Sequence, residues 1–211
     1  MLQVLQKKLR QIVTLFHYPD EIVMSEDDFA RPIQFEKIYP NKNPIVIEFG
    51  VGKGKFIRDY ATQNPRKNFL GVEKVNQWVK HSALRIEKAK LTNVRLVQSS
   101  AEYILSLIPN SSICEYYVLF PDPWPKRRHN NRRIFQKNFL NQIHHTLMDG
   151  GRLYIATDHK DYFAWIENVV NPMLEKQFQI IRNQSPEFIS NYQVKYEKEG
   201  RPIYSMHLKK I

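Results

Sequence analysis

The sequence predicts an α/β fold: a seven-stranded, mostly parallel sheet with helices on both faces. Two observations predict it. From Pro44 onward, short β-branched or apolar runs alternate with longer stretches of helical spacing, the rhythm of a parallel sheet covered on both sides. Residues able to do chemistry follow successive runs: glycines after the first, Glu73 after the second, Ser100 after the third, Asp122 after the fourth and Asp158 after the fifth. In open sheets of this kind, ligands gather beyond the carboxyl ends of the strands.

The elements follow in order. Met1 to Asn43 is polar with weak periodicity and reads as an N-terminal extension, helical from Val4 to Phe16, before a domain spanning 44–211. Ile45-Val46-Ile47-Glu48-Phe49 is a buried strand ending in glycines, and a helix follows from Lys55 to about Gln63. Asn68 to Val72 is the second strand. Val79, Ala83 and Ile86 recur at helical spacing within Asn76–Leu91. Val94–Val97 and Ile113–Phe120 are the third and fourth strands. Phe135–Leu147 is a helix stopped by Asp149-Gly150-Gly151. Arg152–Thr157 is the fifth strand, a helix runs from Lys160 to Glu175, and Phe178–Asn183 is the sixth strand. Tyr204, Met206 and Leu208 alternate within Ile203–Lys209, the half-buried seventh.

Composition bounds the function. The 211 residues are 42% hydrophobic, enough to bury a core, and carry a formal charge of +11, which favours a polyanionic partner. The single cysteine, Cys114, lies in an apolar strand; it excludes an internal disulfide, suits a reducing cytoplasm and reads as a packing residue. The N-terminus lacks a continuous apolar stretch, and no segment is long and apolar enough to cross a bilayer. None of the seven histidines has zinc-ligand spacing, so no metal is expected.

Two motifs carry the chemistry. Glu48-Phe49-Gly50-Val51-Gly52-Lys53-Gly54 lacks both the dinucleotide spacing and the G-K-[ST] of a P-loop. Its alternate glycines let a ligand approach the backbone closely, the spacing of S-adenosylmethionine (SAM) sites. Glu73 stands where an acid can accept hydrogen bonds from both ribose hydroxyls, and Ser100 and Ala101 stand where the adenine edge would lie. The second motif is Phe120-Pro121-Asp122-Pro123-Trp124-Pro125. Its prolines preclude helix or central strand, leaving a stiff shelf that bears an acid and a ring. Lys126, Arg127, Arg128, Arg132 and Arg133 follow at once and are expected to hold phosphates. Trp124 either stacks on a base or packs on the sheet, and Thr157 or Asp158 could also cap the next helix.

With these motifs in order, together with Gly71-Val72-Glu73 and Thr157-Asp158, the chain resembles the bacterial tRNA (guanine-N7)-methyltransferases over residues 40 to 200. The resemblance implies a Rossmann-like class I SAM-dependent methyltransferase fold with a reversed last strand. It implies methyl transfer from SAM to N7 of a guanine in the tRNA variable loop, in the cytoplasm. Carried onto this sequence, it makes Glu48, Gly50, Gly52, Gly54, Glu73, Ser100, Ala101 and Asp122 the cofactor contacts and Asp122 the active-site acid. Lys126 and Asp158 become substrate contacts. The family's C-terminal Thr-x-x-Glu reads Val194-Lys195-Tyr196-Glu197 here, so Glu197 is retained and Val194 stands without the hydroxyl.

Two other functions stay open on the residues alone. An amino-methyltransferase for adenine or cytosine uses an acid, prolines and an aromatic after the fourth strand, but with different spacing. An RNA-binding module on a decayed methyltransferase scaffold would keep the basic run without catalysis. The oligomeric state is open as well.

Overall fold

The computed structural model describes residues 22–181 and 191–211; the helix expected over 4–16 lies outside them. Eight strands form one sheet in the order β1-β4-β3-β2-β5-β6-β8-β7. They are β1 (Val23–Met24), β2 (Ile45–Phe49), β3 (Asn68–Glu73), β4 (Val94–Gln98), β5 (Ile113–Leu119), β6 (Leu147–Thr157), β7 (Phe178–Ile180) and β8 (Tyr204–Lys210). The helices are α1 (Phe35–Ile38), α2 (Lys55–Gln63), α3 (Asn76–Lys88), α4 (Ala101–Leu107), α5 (Lys137–Thr146), α6 (Lys160–Val170) and α7 (Asn191–Lys198). All seven expected strands are present. The eighth, β1, comes from the N-terminal extension and pairs parallel with β4. It is only two residues long, too short for a repeating pattern.

The core lies in two layers because strand side chains alternate. Ile45, Ile47, Phe49, Tyr116 and Val118 face α4, α5 and α6, while Val46, Phe69, Tyr117 and Leu119 face α2 and α3. Phe29, Ile33 and Tyr39 from the extension are buried in the first layer. The Tyr39 hydroxyl donates to the Phe69 carbonyl at 2.7 Å, locking the extension onto β3.

Two boundaries differ in kind from expectation. Asp149-Gly150-Gly151 does follow the end of α5, but β6 runs through it. The β5–β6 register jumps from Ile113↔Leu147 to Glu115↔Arg152, so these residues bulge out of the ladder. The helix from Lys160 stops at Val170, where Asn171-Pro172 turns it into a 3-10 segment. The reversed last strand is as expected: β8 is antiparallel to both β6 and β7 and lies between them.

Cys114 is half-buried, with its thiol donating to the Ile45 carbonyl at 3.0 Å, and burial first, then the nearby Glu115, pushes its pKa up to about 12. This supports a packing role and disfavours a thiolate.

Gly71 lets β3 pack closely. An added Cβ would lie 2.6 Å from Leu96 Cδ2, 2.7 Å from Val51 Cγ2 and 2.9 Å from Ile57 Cδ1. Overpacking of this kind costs about 1–3 kcal/mol. Gly71→Ala should therefore lower the urea midpoint without changing the slope of the transition; an unchanged midpoint would show that the three side chains yield freely.

Candidate active site

A cleft of about 360 Å³ opens at the carboxyl ends of β2–β5, within the ~300–1,000 Å³ typical of small-molecule sites. It sits where the chain order reverses between β2 and β5, at the switch point of the sheet. Gly50, Gly52, Glu73, Ser100, Ala101 and Asp122 all line it. Four separate loops thus bring together six of the eight residues expected at a cofactor.

Glu73 organises this floor. Its Oε2 accepts the Gly52 N–H at 2.8 Å and its Oε1 accepts the Val75 N–H at 2.9 Å. One carboxylate therefore ties the glycine loop to the exit of β3, and each oxygen retains a lone pair for a ligand hydroxyl. Gly54 serves the architecture instead: its φ is +72°, and a Cβ there would come within 2.8 Å of Ser82 Cβ and 3.0 Å of Ser82 Cα. Ser82 Oγ in turn donates to the Gly52 carbonyl at 2.8 Å, fastening the loop to α3.

Glu48 is buried and lies outside the cleft lining. Ile57 N–H bonds to its carboxyl group, while Oε2 has no hydrogen-bond partner. Burial first, then the nearby Glu73, pushes its pKa well above the carboxylate range. Two neighbouring acids, one with an orphaned oxygen, make a place for a cation. SAM, which carries an ammonium and a sulfonium, fits that donor set. At the opposite end, Ser100 lines the cleft but its Oγ is engaged as the cap of α4, accepting the Tyr103 N–H at 3.1 Å. Its remaining lone pair and its hydroxyl proton are what it has left for a ligand.

The proline shelf is held under strain. Phe120 and Trp124 have φ of 55° and 43°, values that cost a non-glycine residue of order 1–3 kcal/mol and concentrate at functional sites. Arg133 supplies the restraint. Its Nε donates to the Pro123 carbonyl at 3.0 Å and its guanidinium reaches the Trp124 carbonyl at 3.4 Å. The same guanidinium lies 5.2 Å from the centre of the Tyr162 ring and 5.0 Å from that of Trp165, both on α6. Arg133 is 7% exposed, so the phosphate contact expected of it is corrected: it braces the shelf from within. Its position at the end of a run of exposed cations hid this from sequence. Lys126, Arg127, Arg128 and Arg132 remain exposed, with Arg132 stacked over Trp124 at 5.0 Å. Trp124 is half-buried and lines the cleft, so it packs while leaving part of its ring accessible.

On the substrate side, Asp158 pairs with Arg201, whose guanidinium also sits 4.1 Å from the centre of the Tyr196 ring. His159, neither Thr157 nor Asp158, caps α6: its Nδ1 accepts the Tyr162 N–H at 3.3 Å. Helix α7 reaches over the glycine loop. Tyr192 and Tyr196 pack on Phe120 at centroid distances of 6.2 and 5.5 Å, and Tyr192 lines the cleft. Val194 is half-buried on this helix, whereas Glu197 is exposed and accepts from Gln193 Nε2 at 2.9 Å. Sequence reasoning missed Trp78, Tyr192 and Arg201. Trp78, in the first turn after Glu73, carried a signal by position; Tyr192 and Arg201 arrive only through the packing of α7. Among the described residues, no group of three His, Cys, Asp or Glu could hold a metal, and no helix is long and apolar enough to cross a membrane.

Residues 42–206 match the family described as putative methyltransferase. The tRNA (guanine-N(7)-)-methyltransferase of Geobacter metallireducens is 31% identical over 196 residues, covering 89% of this chain and 92% of that one. The protein of the same name from Buchnera aphidicola subsp. Baizongia pistaciae is 36% identical over 187 residues, covering 85% and 76%. Among solved structures, the 16S rRNA methyltransferase KamB superposes with a TM-score of 0.63 at 15% identity, covering 87% of this chain and 94% of that one. An rRNA methylase from Streptococcus thermophilus gives 0.56 at 17%, covering 81% and 89%; these likenesses speak to the fold.

Arg133→Ala should leave the Pro123 and Trp124 carbonyls without their donor, at about 1–3 kcal/mol each when no water replaces it. Arg133→Lys keeps the charge but cannot span both carbonyls. Both variants should melt earlier than wild type, with Lys intermediate. Wild-type melting of the alanine variant would mean that the shelf holds its strained shape unaided.

Proposed function

This chain belongs to the tRNA (guanine-N7)-methyltransferase family, and we propose that it transfers the methyl group of SAM to N7 of a guanine in the tRNA variable loop. The observation that carries this reading is one cleft in which the glycine loop, Glu73 and the Asp122 shelf meet. Exposed Lys126, Arg127, Arg128 and Arg132 stand beside it. A tRNA substrate also supports the expectation of a cytoplasmic location.

Bound SAM would supply an electrophilic methyl group on a sulfonium. Glu73 would accept the two ribose hydroxyls, being already oriented by the Gly52 and Val75 N–H groups. Glu48, orphaned at Oε2 beneath the glycine loop, would accept a hydrogen bond from the ammonium end. Ser100 and Ala101 would border the adenine. Guanine N7 is a lone pair without a proton, so the reaction needs no general base. Asp122, exposed on the shelf, is therefore cast as acceptor for N1–H and the exocyclic amine, turning N7 toward the methyl group. Its charge also favours the cationic product. Asp158, freed from Arg201, and Glu197 would assist on the same edge, with Lys126 close to the substrate and Val194 packing beneath it. Alignment of this kind can supply ~7–11 kcal/mol of the barrier. N7 lies in the deep, narrow major groove of A-form RNA, so the base must come from a loop or leave its stack.

Labelled SAM and unmodified tRNA, followed by nucleoside analysis, test the reading: label should appear in N7-methylguanosine. Label in adenosine or cytidine would favour an amino-methyltransferase, and tRNA binding without SAM binding a non-catalytic module. Asp122→Ala should fold normally and lose about 10²-fold or more in kcat, the scale of a misplaced reactant; full activity would remove Asp122 from the mechanism. With four exposed cations in the arm, a fourfold rise in salt should weaken tRNA binding roughly 10²-fold.

A further inference from the structure

A second cavity of about 400 Å³ lies behind the glycine loop, between the start of α2, α3 and α7. Lys53, Lys55, Arg85 and Lys195 line it. These four cations come from a loop and three helices, so the fold, and not a sequence run, assembles them. Their charge is poorly balanced. Lys55 is paired with Asp59 at 2.6 Å, and Lys195 is 3.8 Å from Glu199, a loose and exposed pair. Lys53 instead lies 5.5 Å from the centre of the Trp78 ring. Among the described residues, neither Lys53 nor Arg85 has an acid within ion-pair distance. Glu48 is the one acid in the lining, and burial biases it toward its neutral form.

The location matters as much as the charge. The cavity belongs to the face covered by α2 and α3, whereas the Lys126–Arg132 run leads into α5, on the face covered by α4, α5 and α6. Gly50, Trp78 and Tyr192 line both this cavity and the cleft. The cleft is thus flanked by cations on both faces of the sheet.

We propose that this cavity binds phosphodiester groups of the RNA backbone, as a second station opposite the Lys126–Arg132 arm. A strand entering over one face and leaving over the other would present the base between its two anchored phosphates, at the shelf. The proposal rests on the tRNA methyltransferase reading. Arg85 is suited to fork onto a phosphate, and Lys195 adds a mobile charge from above.

The test compares wild type with Arg85→Gln, Lys195→Gln and the double variant, each checked for native circular dichroism. Filter binding to tRNA across a salt series and calorimetry with SAM are the readouts. Each substitution should make the plot of log affinity against log salt shallower by about 1, and the double variant should bind roughly tenfold more weakly at low salt. SAM affinity should not change. Equal tRNA affinity and slope in all four proteins would overturn the proposal and leave a solvated surface. Reduced SAM affinity with unchanged tRNA binding would also overturn it, assigning the cavity to the carboxylate of the cofactor. If wild type itself fails to bind tRNA, the functional reading falls, and this inference with it.

Discussion

The Glu73 carboxylate is the constraint on which the site depends. By accepting main-chain N–H groups from Gly52 and Val75, it fixes two loops that leave adjacent strands. A carboxylate is costly to bury, and these bonds, each charge-assisted, offset that cost before any ligand arrives. The floor is therefore organised in advance. Ser82 reinforces it from α3 through the Gly52 carbonyl, and Gly54 permits the close approach that makes this bond possible.

Above that floor the protein stores strain. The left-handed conformations at Phe120 and Trp124 are unfavourable for residues of that size, and prolines on either side of Trp124 remove its freedom to relax. Arg133 closes the arrangement from the inside, supported by rings on α6. Asp122 stays exposed at the rim, although the residues on either side of it are held. A group that must meet a base at a defined angle gains from such stiffness, because orientation lost to motion is rate lost.

Much of the fold was legible because strand and helix periods differ and because the active loops follow strands. All seven strands read from sequence exist, and the α2 limits match those expected. The misses have physical causes. Helix α4 begins at Ala101, and seven residues are too few to establish a periodicity. Helix α7 carries only a weak apolar stripe, with Tyr192 and Tyr196 meeting Phe120 far away in sequence. At the site, Gly50, Gly52, Glu73, Ser100, Ala101 and Asp122 share one cleft because each follows a strand. Arg133 shows the limit of reading charge runs: five cations look alike in sequence, and only packing reveals that one points inward. The pairing of Asp158 with Arg201 was hidden for the same reason, since 43 residues separate them.

The insertion of β8 between β6 and β7 has a temporal side. Both neighbours precede it in the chain, and β7 is held in the sheet through β8. Until residues 204–210 leave the ribosome, β6 offers an open row of peptide groups that nothing covers, and β7 has no ladder to join. The nascent chain can assemble its parallel half early, but the margin that carries α7 and Arg201 over the cleft must wait for the last strand to slide in. Synthesis of β8, and not just collapse, thus sets when the site becomes whole, and aggregation through the bare edge is the hazard of that interval.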